Sequence, residues 1–304
     1  MTLLTAHTAK YVVLISLLLH GANMLCAQDS SAKEPAVTTR IFVDAYYSYD
    51  LSQPDNKLKA AFLYNHNRHN EIAINLALAS LQFKQQRMRA AVGLMAGTYS
   101  RYNLAGEPAL LRHVYEANAG VRLFKQKELW LDAGILPSHI GFESAISKDS
   151  RTLTRSMLAE NSPYYETGAR LSYTSTNKKW YAAVLLLNGW QRITPVAGNS
   201  SLSLGTQFTW SPTAKFSFNW SGFAGNTKPD SLRQLRYFQN IYAQWAPVPE
   251  WHFTTGLDFG LEQKSKSANR YYSWFAPIIQ VSYSKQQWSF AARAEYFNDV
   301  AGVI

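Results

Sequence analysis

The sequence predicts an all-β fold, a transmembrane antiparallel up-and-down β-barrel with about 13 strands visible and about 14 or more when complete. Three observations predict it. Period-two alternation recurs beyond the first forty residues in segments of about 9–11 residues, the length a tilted strand needs to cross a bilayer and longer than the usual 5–6. Short and long connections alternate along the chain, as periplasmic turns and outer loops do. The composition is 14% aromatic and only 16% charged, and Trp, Tyr or Phe often end the apolar faces, as in an interfacial girdle.

The elements follow in order. Met1 to Lys10 carries one positive charge and no acid, Tyr11 to Leu19 is an apolar core, and Leu25-Cys26-Ala27 precedes Gln28. This is the layout of a secretory signal peptide over residues 1–27, cleaved after Ala27, and its core is too short to span a bilayer. Residues 28–39 read as a polar lead-in and 40–304 as the barrel. The first strand is expected over Arg40 to Tyr49. Ile72, Ile74, Leu76 and Leu78 then alternate with Glu71, Ala73, Asn75 and Ala77. The same alternation marks segments around Tyr115–Leu123, Leu129–Ile135, Glu166–Tyr173, Ser203–Trp210, Lys215–Ser221, Phe253–Gly260 and Trp288–Tyr296. Strand starts are expected near residues 40, 71, 87, 114, 129, 165, 180, 202, 215, 236, 251, 271 and 288. In this register Ile74, Leu76, Phe218 and Leu257 face lipid, while Asn75, Gly205, Asn219 and Asp258 face water.

Several classes are excluded. Gly 16 and Pro 11 are too few for a collagen-like or low-complexity chain. A single Cys provides neither a disulfide framework nor a cysteine zinc site. After the N-terminus no apolar run reaches the roughly 18–20 residues of a spanning helix. A soluble exported antiparallel protein explains the alternation equally well, but the strand length, strand number and aromatic ends less well.

Five short stretches carry a family resemblance: Val43-Asp44-Ala45-Tyr46-Tyr47, Tyr115 to Gly120, Ile140-Gly141-Phe142-Glu143, Ser162 to Arg170, and Leu187-Asn188-Gly189-Trp190-Gln191. Over Arg40 to Gln191 the chain resembles the OmpL-like β-barrel porins, and beyond that it follows them by pattern only. The resemblance implies an outer-membrane pore-forming barrel and supplies no catalytic residues.

The residues themselves point to no reaction and no cofactor. G-x-S-x-G, H-E-x-x-H, P-loop and dinucleotide fingerprints are missing from the sequence. His66 and His69 stand three apart with Glu71 as the one nearby acid, which reads as a surface loop and not a metal site. Ser138, His139 and Glu143 invite a barrel-hydrolase reading, but sequence neighbours in a loop lack an identifiable orienting partner. The net charge of +10 could suggest a nucleic-acid partner, but the signal peptide and the barrel pattern argue against it.

The alternation assigns to the inward wall the acids Asp44, Glu71, Glu116, Asp132, Glu166, Asp258 and Glu295 and the bases Arg87, Arg89, Arg122, Arg170, Lys215 and Arg293. These nearly balance, so the positive excess is expected in turns and loops and ion preference is expected to be weak. Cross-strand salt-bridge ladders are an equally good account of the same residues. In the long loop Pro137 to Pro163, Asp149 is expected to cap a short helix over Ser150 to Ala159. If the loop folds inward, Glu143, Arg151 and Arg155 form a charged constriction. If it lies over the outer mouth, its Arg side chains pair with lipid phosphates.

The resulting expectation is a bacterial outer-membrane porin, bounded by outer-membrane lipid, that passes small polar solutes by passive diffusion. Its rivals are a non-catalytic barrel used as an anchoring or interaction platform, and an outer-membrane barrel hydrolase. An odd strand count leaves the last strand rising outward, so the sequence is expected to lack at least one closing strand. An extra strand at Leu58–Tyr64 would restore an even count.

Overall fold

The computed structural model describes residues 36–304; the expected signal peptide lies outside them. Thirteen strands form one antiparallel sheet in which every strand pairs with its neighbours in sequence. They are β1 Ala36–Tyr47, β2 Ile72–Lys84, β3 Met88–Ala96, β4 Val114–Phe124, β5 Lys127–Pro137, β6 Tyr165–Thr174, β7 Trp180–Leu187, β8 Ser203–Thr213, β9 Phe216–Asn226, β10 Leu235–Trp245, β11 Trp251–Gln263, β12 Tyr271–Lys285 and β13 Trp288–Glu295. β1 begins four residues before Arg40, within the expected lead-in. Leu58–Tyr64 forms no strand; Leu58 contributes a lone bridge to Arg68. β1 and β13 are the sheet's two edges and share no ladder among the described residues.

The sheet has an apolar outward face and an inward face that mixes polar groups with apolar clusters. Val184 and Leu186 point outward at 52% and 51% exposure, while Leu185 and Leu187 between and after them are at 0%. On β11 Leu257 and Phe259 are exposed and Asp258 is buried, because successive side chains in a strand point to opposite sides. At the short-turn end the outward aromatics touch in pairs. Trp180 stacks on Trp210 at 5.7 Å, Trp251 lies 5.9 Å from Phe253 and 4.9 Å from Tyr283, and Trp288 lies 6.2 Å from Phe290. This belt is where amphipathic rings collect at a membrane interface.

One expected face is wrong. Leu76 is fully buried and belongs, with Leu78, Met95 and Tyr99, to an interior apolar cluster. The cause is a β-bulge. Asp44 pairs with Leu76 and Ala45 with Ile74, which leaves Asn75 without a partner on β1. One extra residue inverts the parity of everything beyond it. Ile72 and Ile74 stay outward, Asn75 is inward at 0% exposure, and Leu76 and Leu78 follow it inward. Gly97, at φ 128°, sits against the backbone carbonyl of Asn75, where a Cβ would collide, so the bulge is fitted to its neighbour. Leu76→Ala is therefore expected to cost about 2–4 kcal/mol, as for a core leucine. Leu81→Ala, on the exposed face beyond the bulge, should cost much less. Denaturant unfolding of the two variants in one detergent decides it, and equal losses would refute the inverted register.

Candidate functional site

The loop from Ser138 to Tyr164 runs through the interior of the sheet. Its partners on β10 mark the descent. Gly141 donates to Asn240 Oδ1 at 3.2 Å, the Phe142 ring packs edge-on to Tyr242 at 5.4 Å, and Arg151 reaches the cavity that Gln244 lines. The β13 side marks the return. Arg293 donates to Thr152 Oγ1 at 2.8 Å and to the Thr154 carbonyl at 2.7 Å, and Met157 N–H donates to Glu295 at 2.7 Å. Leu158 then packs on Ala276 and Ile278. Near the long-loop end Glu160 accepts from Tyr64 N–H at 2.6 Å and from the Asn65 side chain at 2.7 Å. Arg40 of β1 lies 3.8 Å from Asp149, so both edges of the sheet meet the same short stretch of loop.

The expected helix over Ser150 to Ala159 does not form. A 3-10 turn covers Ser147–Asp149, and the one α-helical turn of the loop, Met157–Glu160, is capped by Ser156, whose Oγ accepts from Ala159 N–H. Ser156 outcompetes Asp149 because Glu143 accepts both its N–H and its hydroxyl and fixes it. The three expected constriction residues are accordingly separated. Arg155 is 3% exposed and donates to the carbonyls of Ser144 and Ala145 at 2.5 and 2.9 Å. Glu143 holds Ser156. Both staple the loop to itself, and Arg151 alone remains exposed.

His139 anchors the start of the descent. Its Nδ1 is 2.7 Å from Glu166 and its Nε2 is 2.9 Å from the Gly222 carbonyl. Gly205 faces the ring closely enough that a Cβ there would lie 2.9 Å from Cε1. Ser138 Oγ accepts from Ile140 N–H at 3.0 Å and the ring nitrogens are engaged elsewhere. Burial disfavours the charged imidazole, but the charge of Glu166 and the hydrogen bonds to Glu166 and Gly222 outweigh it, and the pKa is raised above its ordinary value. A raised folded value means that the stabilisation is full below the unfolded value and disappears as pH rises through the folded one. Stability is expected to fall above pH of about 6.5, the unfolded value. In His139→Gln that part of the fall should vanish from unfolding midpoints, and an unchanged pH profile would contradict the pairing.

The inward wall is built of ion pairs. Asp132, 1% exposed, receives a bidentate pair from Arg89 at 2.5 and 2.5 Å and a further donor from Arg170 at 3.3 Å. The Arg89 guanidinium also lies 4.4 Å from the Trp130 ring centroid. Asp258 accepts from Asn240 at 2.6 Å, Asp44 accepts from Asn75 and lies 2.9 Å from His66, and Arg293 pairs with Glu295 at 3.0 Å. Glu116 is buried on β4, and Arg122 pairs with Glu128 at 2.7 Å near the short turn. Three expected wall residues stand elsewhere. Glu71 precedes β2, half-buried, and pairs with Arg68 at 2.6 Å. Arg87 is exposed in the β2–β3 turn. Lys215 is in the β8–β9 turn, where its Nζ donates to the Pro247 carbonyl at 2.8 Å. Each stands one residue before its strand begins, where the alternation of the sequence continues but the ladder does not.

Two wall residues escaped the sequence reading. Arg236 and Glu262 form a buried pair at 2.6 Å, with the guanidinium 5.0 Å from Trp190 and 5.3 Å from Trp274. Their even-numbered parity with Asn240 and Asp258 was the signal that could have found them. His66 and His69 go to different partners, the former to Asp44 and the latter accepting from Asp50 N–H at 2.8 Å.

The profile of the family described as "Putative beta-barrel porin-2, OmpL-like" matches residues 36–304. No curated protein sequence matches the chain. Among solved structures, a loop L8 deletion mutant of OmpT, an outer membrane protein of Vibrio cholerae, aligns at TM-score 0.42 and 7% identity over 88% of this chain and 94% of that one. In-vitro folded OmpT of the same organism aligns at 0.36 and 8% identity, over 87% and 85%.

Proposed function

The chain belongs to the OmpL-like β-barrel porin-2 family, and from that membership we propose that it is an outer-membrane pore passing small polar solutes by passive diffusion. One observation carries the reading. The sheet turns an apolar face outward, and its inward face carries paired charges and amides between apolar clusters, with the loop Ser138–Tyr164 held against that face by hydrogen bonds to Asn240 and Arg293. An anchoring platform needs no such hydrated wall, since a barrel interior can be filled with apolar side chains.

Passive flow through this wall should discriminate weakly by charge. The inward strand positions pair their guanidiniums with carboxylates (Arg89 and Arg170 with Asp132, Arg236 with Glu262, Arg293 with Glu295), so no single-sign field lines the middle of the passage. Purified protein in a planar bilayer is expected to give discrete conductance steps. In a tenfold salt gradient the reversal potential should stay well below the value for an ideally selective pore. Persistent absence of steps would remove the pore reading, and strong cation selectivity would contradict the paired wall.

A further inference from the structure

At the short-turn end the inward loop meets a cavity of about 350 Å³. Arg151 enters it from the loop, Lys215 from the β8–β9 turn and His252 from β11, with Ser217 of β9, Gln244 of β10 and Thr254 of β11 around them. No carboxylate lines it.

This composition departs from the rest of the interior. Arg89, Arg122, Arg170, Arg236 and Arg293 each have a carboxylate within 3.3 Å. Arg151 and Lys215 have no such partner among the described residues, and Lys215 reaches only a backbone carbonyl. The Nδ1 of His252 is buried and lacks a hydrogen-bond partner among the described residues. Converging bases repel and a buried unpartnered ring nitrogen is costly. Where the strand arginines are paired with carboxylates, a group of bases left without one at a single mouth is a local departure that a ligand would complete. Free acceptors for these donors are supplied by an anion, and guanidinium geometry suits carboxylate and phosphate oxygens. The hydroxyls and amide around them offer neutral hydrogen bonds to the remainder of a small solute.

We propose that this cavity is a binding site for small water-soluble anions carrying a phosphate or carboxylate group, placed at the short-turn mouth and formed by Arg151, Lys215 and His252. The proposal rests on the pore reading for its role in transport, but not for binding itself. The loop delivers Arg151 to the mouth, so the site exists only while the loop is docked along the interior.

Inorganic phosphate is the probe. Calorimetric titration of the folded protein in an uncharged maltoside detergent should show saturable binding. Each charge-assisted hydrogen bond lost is worth roughly tenfold in affinity, so Arg151→Gln and Lys215→Gln should each weaken binding about tenfold and the double variant more. Lys125→Gln removes the same charge from another short turn, outside the cavity, and should leave binding unchanged. No saturable binding, or equal weakening by all three substitutions, overturns the site. Binding that appears only after phosphatidylglycerol is added makes it a lipid-headgroup contact and also overturns it. Phosphate binding in a protein that gives no conductance upholds the site and removes the pore reading; conductance without phosphate binding does the reverse.

Discussion

Replacing Asp132 with Ala is expected to destabilise the folded protein by about 2–3 kcal/mol. The carboxylate is 1% exposed and receives Arg89 twice at 2.5 Å and Arg170 at 3.3 Å. Its loss leaves the two guanidiniums that converge on it from β3 and β6 with no counter-charge, and they repel. Breaking a buried pair by removing one partner costs about 3–5 kcal/mol. The smaller figure applies because Arg89 and Arg170 retain 29% and 21% exposure to the hydrated interior, where solvent screens the residual charge. Asp132→Asn, which keeps an acceptor oxygen, should cost less. Denaturant unfolding in detergent, followed by tryptophan fluorescence, measures both. A loss below about 0.5 kcal/mol for the Ala variant would mean that the network is ornamental, as exposed surface pairs are.

The second large effect concerns the inward loop. On the pore reading, excising residues 142–161 should open the passage and raise single-channel conductance at least about twofold, because the loop lies against the inward face from β10 to β13. The geometry allows the excision, since the Cβ position of Gly141 lies 4.0 Å from Ser162 Oγ and a short Gly-Ser bridge joins the two ends. The variant loses the packing of Leu158 on Ala276 and Ile278 and of Ala145 and Ile146 on the cluster around Leu76. Its circular dichroism should still report the strands, whose ladders run directly from strand to strand. Conductance unchanged from the parent would show that solutes do not pass along this loop. Phosphate binding at the mouth should disappear in the same variant, since Arg151 goes with the loop.

Taken alone, the sequence determined the strands and most of their faces. Thirteen starts were legible to within four residues, because a strand with one wet and one apolar side writes its register into every second residue. Asp258, Asn219 and Gly205 fell on the inward side by that rule alone. The outward-facing aromatics at the short-turn end were legible for the same local reason.

Tertiary structure alone decided three things. It placed the bulge at Asn75, where one unpaired residue on β2 turned Leu76 and Leu78 inward. A period-two pattern of apolar residues does not reveal an inserted residue when both faces there are apolar. It decided the path of the loop, fixed by partners as far away in sequence as Met157 and Glu295, or Arg293 and Thr154. It also decided what the loop charges do. Glu143, Arg151 and Arg155 look equivalent in the sequence, yet Arg155 and Glu143 are consumed by the loop's own backbone and hydroxyl groups, and only Arg151 reaches the mouth. Alternation is a property of neighbouring residues, whereas side-chain pairing across a curved sheet depends on which distant strands and loop segments the curvature brings to the same depth.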